Sequence, residues 1–127
     1  MTPAWVSACV TGEVVQGGVL GEPRGVVAWE GGVAVADARS SVLLSCTASA
    51  CSPLFPSYNF SSPCSIAQQE GALLVADTGA SRVVSCFQQA CTVAVGEEAG
   101  LQLPYGVAAD GASVVVADTH NHRVLVC

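Results

Sequence analysis

Apolar residues arrive in short bursts, separated by glycine, proline and small polar clusters. The bursts read GVVAW, VAVAD and VLLSC from Gly25, SIAQQ, ALLVAD and VVSC from Ser65, and GVAA, SVVVAD and VLVC from Gly106. Valine-rich runs of this length, punctuated by glycine, favour many short strands over helices. The punctuation is specific. Glu30-Gly31-Gly32, Glu70-Gly71 and Asp110-Gly111 sit between the first and second burst of each set and are hairpin signals. The pattern predicts first strands over Gly25–Trp29, Ser65–Gln69 and Gly106–Ala109, and second strands over Val33–Asp37, Ala72–Asp77 and Ser113–Asp118. It predicts third strands over Val42–Cys46, Val83–Cys86 and Val124–Cys127, and fourth strands beginning near Cys51 and Cys91.

The sets are copies of one another. Pro23, Pro63 and Pro104 are 40 and 41 residues apart, and so are Asp37, Asp77 and Asp118, and Cys46, Cys86 and Cys127. From Pro to Asp is 14 residues every time. Three registers in step define a repeat. Four short antiparallel strands in about 40 residues is the pattern of a β-propeller blade, which must stack on neighbours to bury both of its faces. The expected architecture is all-β. Residues 1–21 supply an outer strand of an incomplete preceding blade plus a linker, 22–61 the first repeat, 62–102 the second, and 103–127 a third without its fourth strand.

The repeat resembles the NHL repeat, a propeller-blade unit. The third copy carries the resemblance best, in Pro104-Tyr105-Gly106-Val107-Ala108, Val116-Ala117-Asp118-Thr119 and Asn121-His122-Arg123-Val124. The second keeps Asp77-Thr78 and Arg82-Val83 but has Ala80-Ser81 in place of Asn-His. The first reads as one residue shorter after Asp37, with Ser41 where the Arg should be. The resemblance implies three four-stranded NHL-type repeats belonging to a larger propeller of six blades. It also implies a tight turn after the second strand, held by the carboxylates of Asp37, Asp77 and Asp118 and the guanidinium groups of Arg82 and Arg123. A short acidic side chain bonds backbone N–H groups in turns, and Arg bridges to a carboxylate.

Charge narrows the function. The chain carries a net −6, has no Lys, and has Arg24, Arg39, Arg82 and Arg123 as its only fixed cations. Nucleic-acid phosphates require clustered Lys and Arg, so no nucleic-acid partner is expected. No apolar run approaches the length of a membrane span, and MTPAWVSACV does not read as a signal peptide, so no direct membrane insertion is expected. His120 and His122 with Asp118 are the metal candidates. On a strand, their i, i+2 spacing would put both histidines on one face. As turn residues of a repeat they need no ion, and the other copies have no His. No cofactor and no catalytic residue is assigned, and Gly-x-Ser-x-Gly is missing.

Seven cysteines are many for this length. Cys46 and Cys51, and Cys86 and Cys91, flank the turn between third and fourth strands, where opposed residues come within disulfide reach. The expectation is two disulfides, Cys46–Cys51 and Cys86–Cys91, with free outer-edge thiols as the alternative. Paired cysteines favour a secreted or extracellular location. Ala8-Cys9 repeats the dipeptide of Ala50-Cys51 and Ala90-Cys91, so Trp5–Val15 reads as the fourth strand of another blade. Two readings follow. The chain is a piece of a longer propeller, which is preferred, or two chains close a six-bladed ring as a homodimer with Cys9 bonded to Cys127.

Cys64 occupies the middle of Pro-x-Gly, where the other copies have Arg24 and Tyr105. These three positions begin the innermost strands. Since propellers usually bind at that mouth, Arg24, Cys64 and Tyr105 are the candidate partner contacts. Asn59-Phe60-Ser61 is a glycosylation sequon within a Pro- and Ser-rich loop. The functional expectation is a non-catalytic scaffold for a protein or peptide partner. The alternatives are part of a metal-dependent lyase or lactonase, or a ligand-sensing ectodomain of a larger receptor.

Overall fold

A computed structural model describes residues 20–127, which form three antiparallel sheets. The first contains β1 (Pro23–Trp29), β2 (Gly32–Asp37), β3 (Val42–Cys46) and β4 (Cys51–Leu54), hydrogen-bonded in that order. The second contains β5 (Ser65–Gln69), β6 (Ala72–Asp77), β7 (Arg82–Phe87) and β8 (Ala90–Val95), again in order. The third has three strands, β9 (Gly106–Asp110), β10 (Ser113–Asp118) and β11 (Arg123–Val126). Among the described residues there is no α-helix, only short 3₁₀ turns. The suggested strand Trp5–Val15 and the partner of Cys9 lie outside the described residues.

Local chemistry explains the hairpins. Glu30-Gly31 and Glu70-Gly71 connect first and second strands as two-residue loops with positive φ at both positions. That is the twist a tight hairpin needs, and glycine supplies it without strain. In the third sheet Asp110 pairs with Ser113, so the loop is Gly111-Ala112 rather than Asp110-Gly111. Gly111, at φ +57°, takes the first loop position and Asp110 stays in the strand.

The ladders also correct the alignment of the first repeat. Asp37 pairs with Val42, as Asp77 pairs with Arg82 and Asp118 with Arg123. The first corner is therefore not shorter, and Val42, not Ser41, stands in the position of the Arg. Ser41 instead matches Ser81 and His122, the residues with φ between 51° and 55° that close each corner. Only a residue at that corner can turn the chain into the third strand, which is why corner position and not identity sets the match.

Stacking of the sheets makes the core. Ala34, Ala36 and Leu43 of the first sheet pack with Leu73, Val75, Val84 and Cys86 of the second, sealed by Phe60 and Ile66. Val83 and Val95, on the other face of the second sheet, meet Leu101 and Val116. The middle sheet is covered on both faces, so β6 is apolar without alternation, as a doubly buried strand should be. The outer sheets are less covered: Val26 is 64%, Val124 67% and Val126 70% exposed. Cys46 opposes Cys51 and Cys86 opposes Cys91, each pair at disulfide distance with an S–S separation of 2.03 Å.

The first strands β1, β5 and β9 lie side by side across the three sheets. Their approach is close. A Cβ on Gly25 would stand 2.9 Å from Ser65 Cα, so only glycine fits there without moving backbone. Further along, Ser65 Oγ accepts a hydrogen bond from Val107 N at 3.1 Å, tying β5 to β9.

Candidate functional site

The corners come first because they place everything around the mouth. Asp37, Asp77 and Asp118 end the second strands and are fully buried. Their carboxylates reach out of their own turns. Asp77 Oδ1 accepts Ser61 N and Asp118 Oδ1 accepts Gln102 N, both at 2.7 Å and both 16 residues upstream. Asp37 accepts Gly21 N at 2.7 Å and Glu22 N at 2.8 Å. The expected tight turn is thus also a latch. Each Asp holds the loop that leads into its own sheet, and so positions the residue after the Pro.

Arg82 and Arg123 extend that latch. Each Nε donates to the second oxygen of its Asp at 2.8 Å. Each Nη2 then donates to an upstream carbonyl, Asn59 O at 2.8 Å and Ala99 O at 2.7 Å. Burial pushes the Asp118 carboxyl up, but the Asn121 amide, the Gln102 N–H and the Arg123 guanidinium outweigh it and hold it below the ordinary carboxylate value. Burial likewise pushes Asp37 up, and its backbone N–H bonds, from Glu22 and Gly21 first, hold it below that value. These aspartates are ionised structural acceptors.

With the loops latched, the residues after the three prolines converge. Cys64 N donates to Ala76 O at 3.1 Å and Tyr105 N to Ala117 O at 3.2 Å, so both backbones are fixed on their second strands. Arg24, Cys64 and Tyr105 line one open cleft of about 420 Å³, together with Glu22, Arg39, Ser62 and Thr78. Thr78 Oγ1 donates to Pro104 O at 2.6 Å, joining the second and third sheets beneath the cleft.

The three side chains differ in reach. Arg24 is exposed and donates through Nε to Glu22 Oε1 at 2.7 Å. That bond and the charge of Glu22 hold its pKa above the ordinary value, so it remains a cation. Arg39 Nη2 lies 3.8 Å from Glu22 Oε2, which puts two cations around one carboxylate. Tyr105 is 41% exposed and its ring stacks on His120, with centroids 6.2 Å apart. Cys64 is buried, and its Sγ donates to Ser62 O at 3.3 Å. It forms part of the floor, while Arg24 and Tyr105 face solvent.

His120 and His122 are not on a strand, as a one-faced metal pair requires. His120 lies in the 3₁₀ turn Thr119–Asn121 and His122 is its left-handed cap. The Asp118 oxygens are already engaged by Gln102, Asn121 and Arg123. Among the described residues no three His, Cys, Asp or Glu side chains converge as metal ligands. His120 instead enters the cleft as the stacking partner of Tyr105.

Two contributors escaped the sequence reading. Glu22 and Arg39 stand outside the Pro-x-Gly motif and reach the cleft only through folding. A signal for Glu22 was present in its place one residue before Pro23. At the opposite end of the sheets, Trp29, Phe55 and Phe87 line a second cleft of about 370 Å³, and Trp29 Nε1 is buried without a hydrogen-bond partner.

Comparison with known proteins agrees with this geometry where it speaks. Residues 101–127 match the NHL repeat, the stretch that includes β9, β10 and β11. Three stacked antiparallel sheets of this kind are consistent with propeller blades. No curated protein matches the chain.

Proposed function

We infer that the chain is a non-catalytic interaction scaffold that holds a protein or peptide partner at the cleft of Arg24, Cys64 and Tyr105. One observation carries this reading: residues 40 and 41 positions apart in sequence meet in one cleft, with a cation and an aromatic ring exposed side by side. The NHL match supports it, since such blades serve as rigid supports whose loops carry the site. Arg24 and Arg39 put positive charge on an otherwise acidic molecule, and Tyr105 offers a flat apolar surface, a pairing common at binding hot spots.

The test is peptide selection from a display library on the immobilised chain. Selected peptides should lose binding at least tenfold on Arg24→Ala and on Tyr105→Ala, and keep it on Phe87→Ser at the opposite end. Undiminished binding to both cleft variants would overturn the reading.

A second reading concerns assembly. The outer edge of β11 is unpaired among the described residues, and Val124 and Val126 beside it are exposed. A six-bladed ring covers such an edge, either by further blades of one longer protein or by two copies of this chain. Solution mass by sedimentation decides between them, with a stable dimer expected only for the second arrangement.

A further inference from the structure

We propose that Asn59 is an N-glycosylation site, the acceptor of an oligosaccharide from a polyprenyl-diphosphate donor. The motif is Asn59-Phe60-Ser61, and the chain has one other Asn, Asn121, which lacks the following Ser or Thr. Four structural observations bear on it. Asn59 is exposed and belongs to no strand. Its structural role is carried by its backbone carbonyl, which accepts Arg82 Nη2, so the side-chain amide is not used to hold the fold. Ser61 likewise works through its backbone, donating N–H to Asp77 and accepting Gly79 N. Two cysteine pairs stand at disulfide distance, as in chains that mature in the oxidising compartment where this modification is made.

The transfer is a substitution with no change of oxidation state. Asn59 Nδ2 bonds to the anomeric carbon of the donor's first sugar, and the bond from that carbon to the diphosphate oxygen breaks. The polyprenyl diphosphate leaves with the electron pair, and one amide proton passes to a base of the transferase. Phe60, the middle residue, is buried in the core between the first two sheets. Transfer must therefore precede docking of this loop. Folding then buries Phe60 and leaves the sugar in solvent, over the cleft that Phe55, Pro56 and Tyr58 line on the outer side.

The experiment uses the mature protein isolated from the cells that make it. Trypsin cuts at Arg39 and Arg82, and the released peptide of residues 40–82 has Asn59 as its one asparagine. Peptide-N-glycosidase in heavy-oxygen water should lower the mass of that peptide by a whole glycan and leave a labelled Asp at position 59. Recovery of the peptide only in unmodified form overturns the proposal. In a eukaryotic secretory host the same mass loss should vanish in Asn59→Gln and in Ser61→Ala and persist in Ser61→Thr, with each unglycosylated variant melting as the enzymatically deglycosylated protein does. A glycan retained by Asn59→Gln also overturns it.

Discussion

The corner of the first sheet and the corners of the other two solve one problem with different donors. In the second and third sheets, one Asp oxygen takes a backbone N–H from the upstream loop and the other takes the Nε of an Arg. In the first sheet, the second oxygen takes Gly21 N instead, and Val42 occupies the Arg register. The comparison separates the invariant part of the device from its replaceable part. A buried carboxylate must have every lone pair engaged, and it is indifferent to whether an amide or a guanidinium supplies the proton. What the Arg adds is reach. Its far nitrogen bonds a carbonyl 23 or 24 residues away, which no backbone N–H at the corner could do.

Removing a carboxylate should break the comparison most. Asp77→Ala leaves Arg82 and Ser61 N without their acceptor and should cost about 3–5 kcal/mol, as loss of one partner of a buried ion pair does. Asp37→Ala strands only backbone donors and should cost less, about 1–3 kcal/mol. Urea denaturation of both variants checks the order, and equal costs would mean the guanidinium plays no part.

Arg82→Met keeps the apolar stem and removes both bonds. A loss of about 1–3 kcal/mol is expected, accompanied by faster amide exchange around Asn59, whose carbonyl Arg82 holds. Arg82 also stacks over the Tyr58 ring at 5.2 Å, so the same variant should perturb the Tyr58 resonances.

Acid gives the third handle. Asp37 and Asp118 have folded-state pKa values below the ordinary carboxylate value. As the pH falls, the unfolded chain takes up these protons first. Their contribution is therefore complete above about pH 4 and is lost as the pH drops through the folded values. The urea midpoint should be flat near neutrality and fall below about pH 4, and Asp118→Asn should reduce that slope.

Val42→Arg is the smallest and sharpest case. The second oxygen of Asp37 already has Gly21 N, so a new guanidinium finds no vacancy, and stability should change by less than about 0.5 kcal/mol. A gain as large as the loss in Arg82→Met would show that the two corners are not equivalent solutions.

Much of this was legible in the residues because its causes are local. A Gly after Glu30 or Glu70 dictates a hairpin through φ alone, and Cys pairs five residues apart must oppose each other across a short turn. The aspartates were legible as structural residues because they recur in register. Their partners were not legible, since a carboxylate bonding a backbone N–H 16 residues upstream leaves no side-chain signature. The misplaced Arg position in the first repeat has the same origin. With Val42 in that register no residue type marks the site, and the ladder alone locates it. Likewise Arg24, Cys64 and Tyr105 could be named from Pro-x-Gly, whereas the roles of Glu22, Arg39 and His120 in the cleft could not.

By itself the sequence determined the repeat, its strands and its turns, for these depend on side chains acting on their own backbone or on the next strand. Tertiary structure decided which residues of different sheets meet. The close contact of Gly25 with Ser65, the bond from Thr78 to Pro104 and the shared cleft all join positions about 26 to 81 residues apart. Such contacts arise only when apolar sheet faces stack to leave water, and that stacking sets distances that no local spacing encodes.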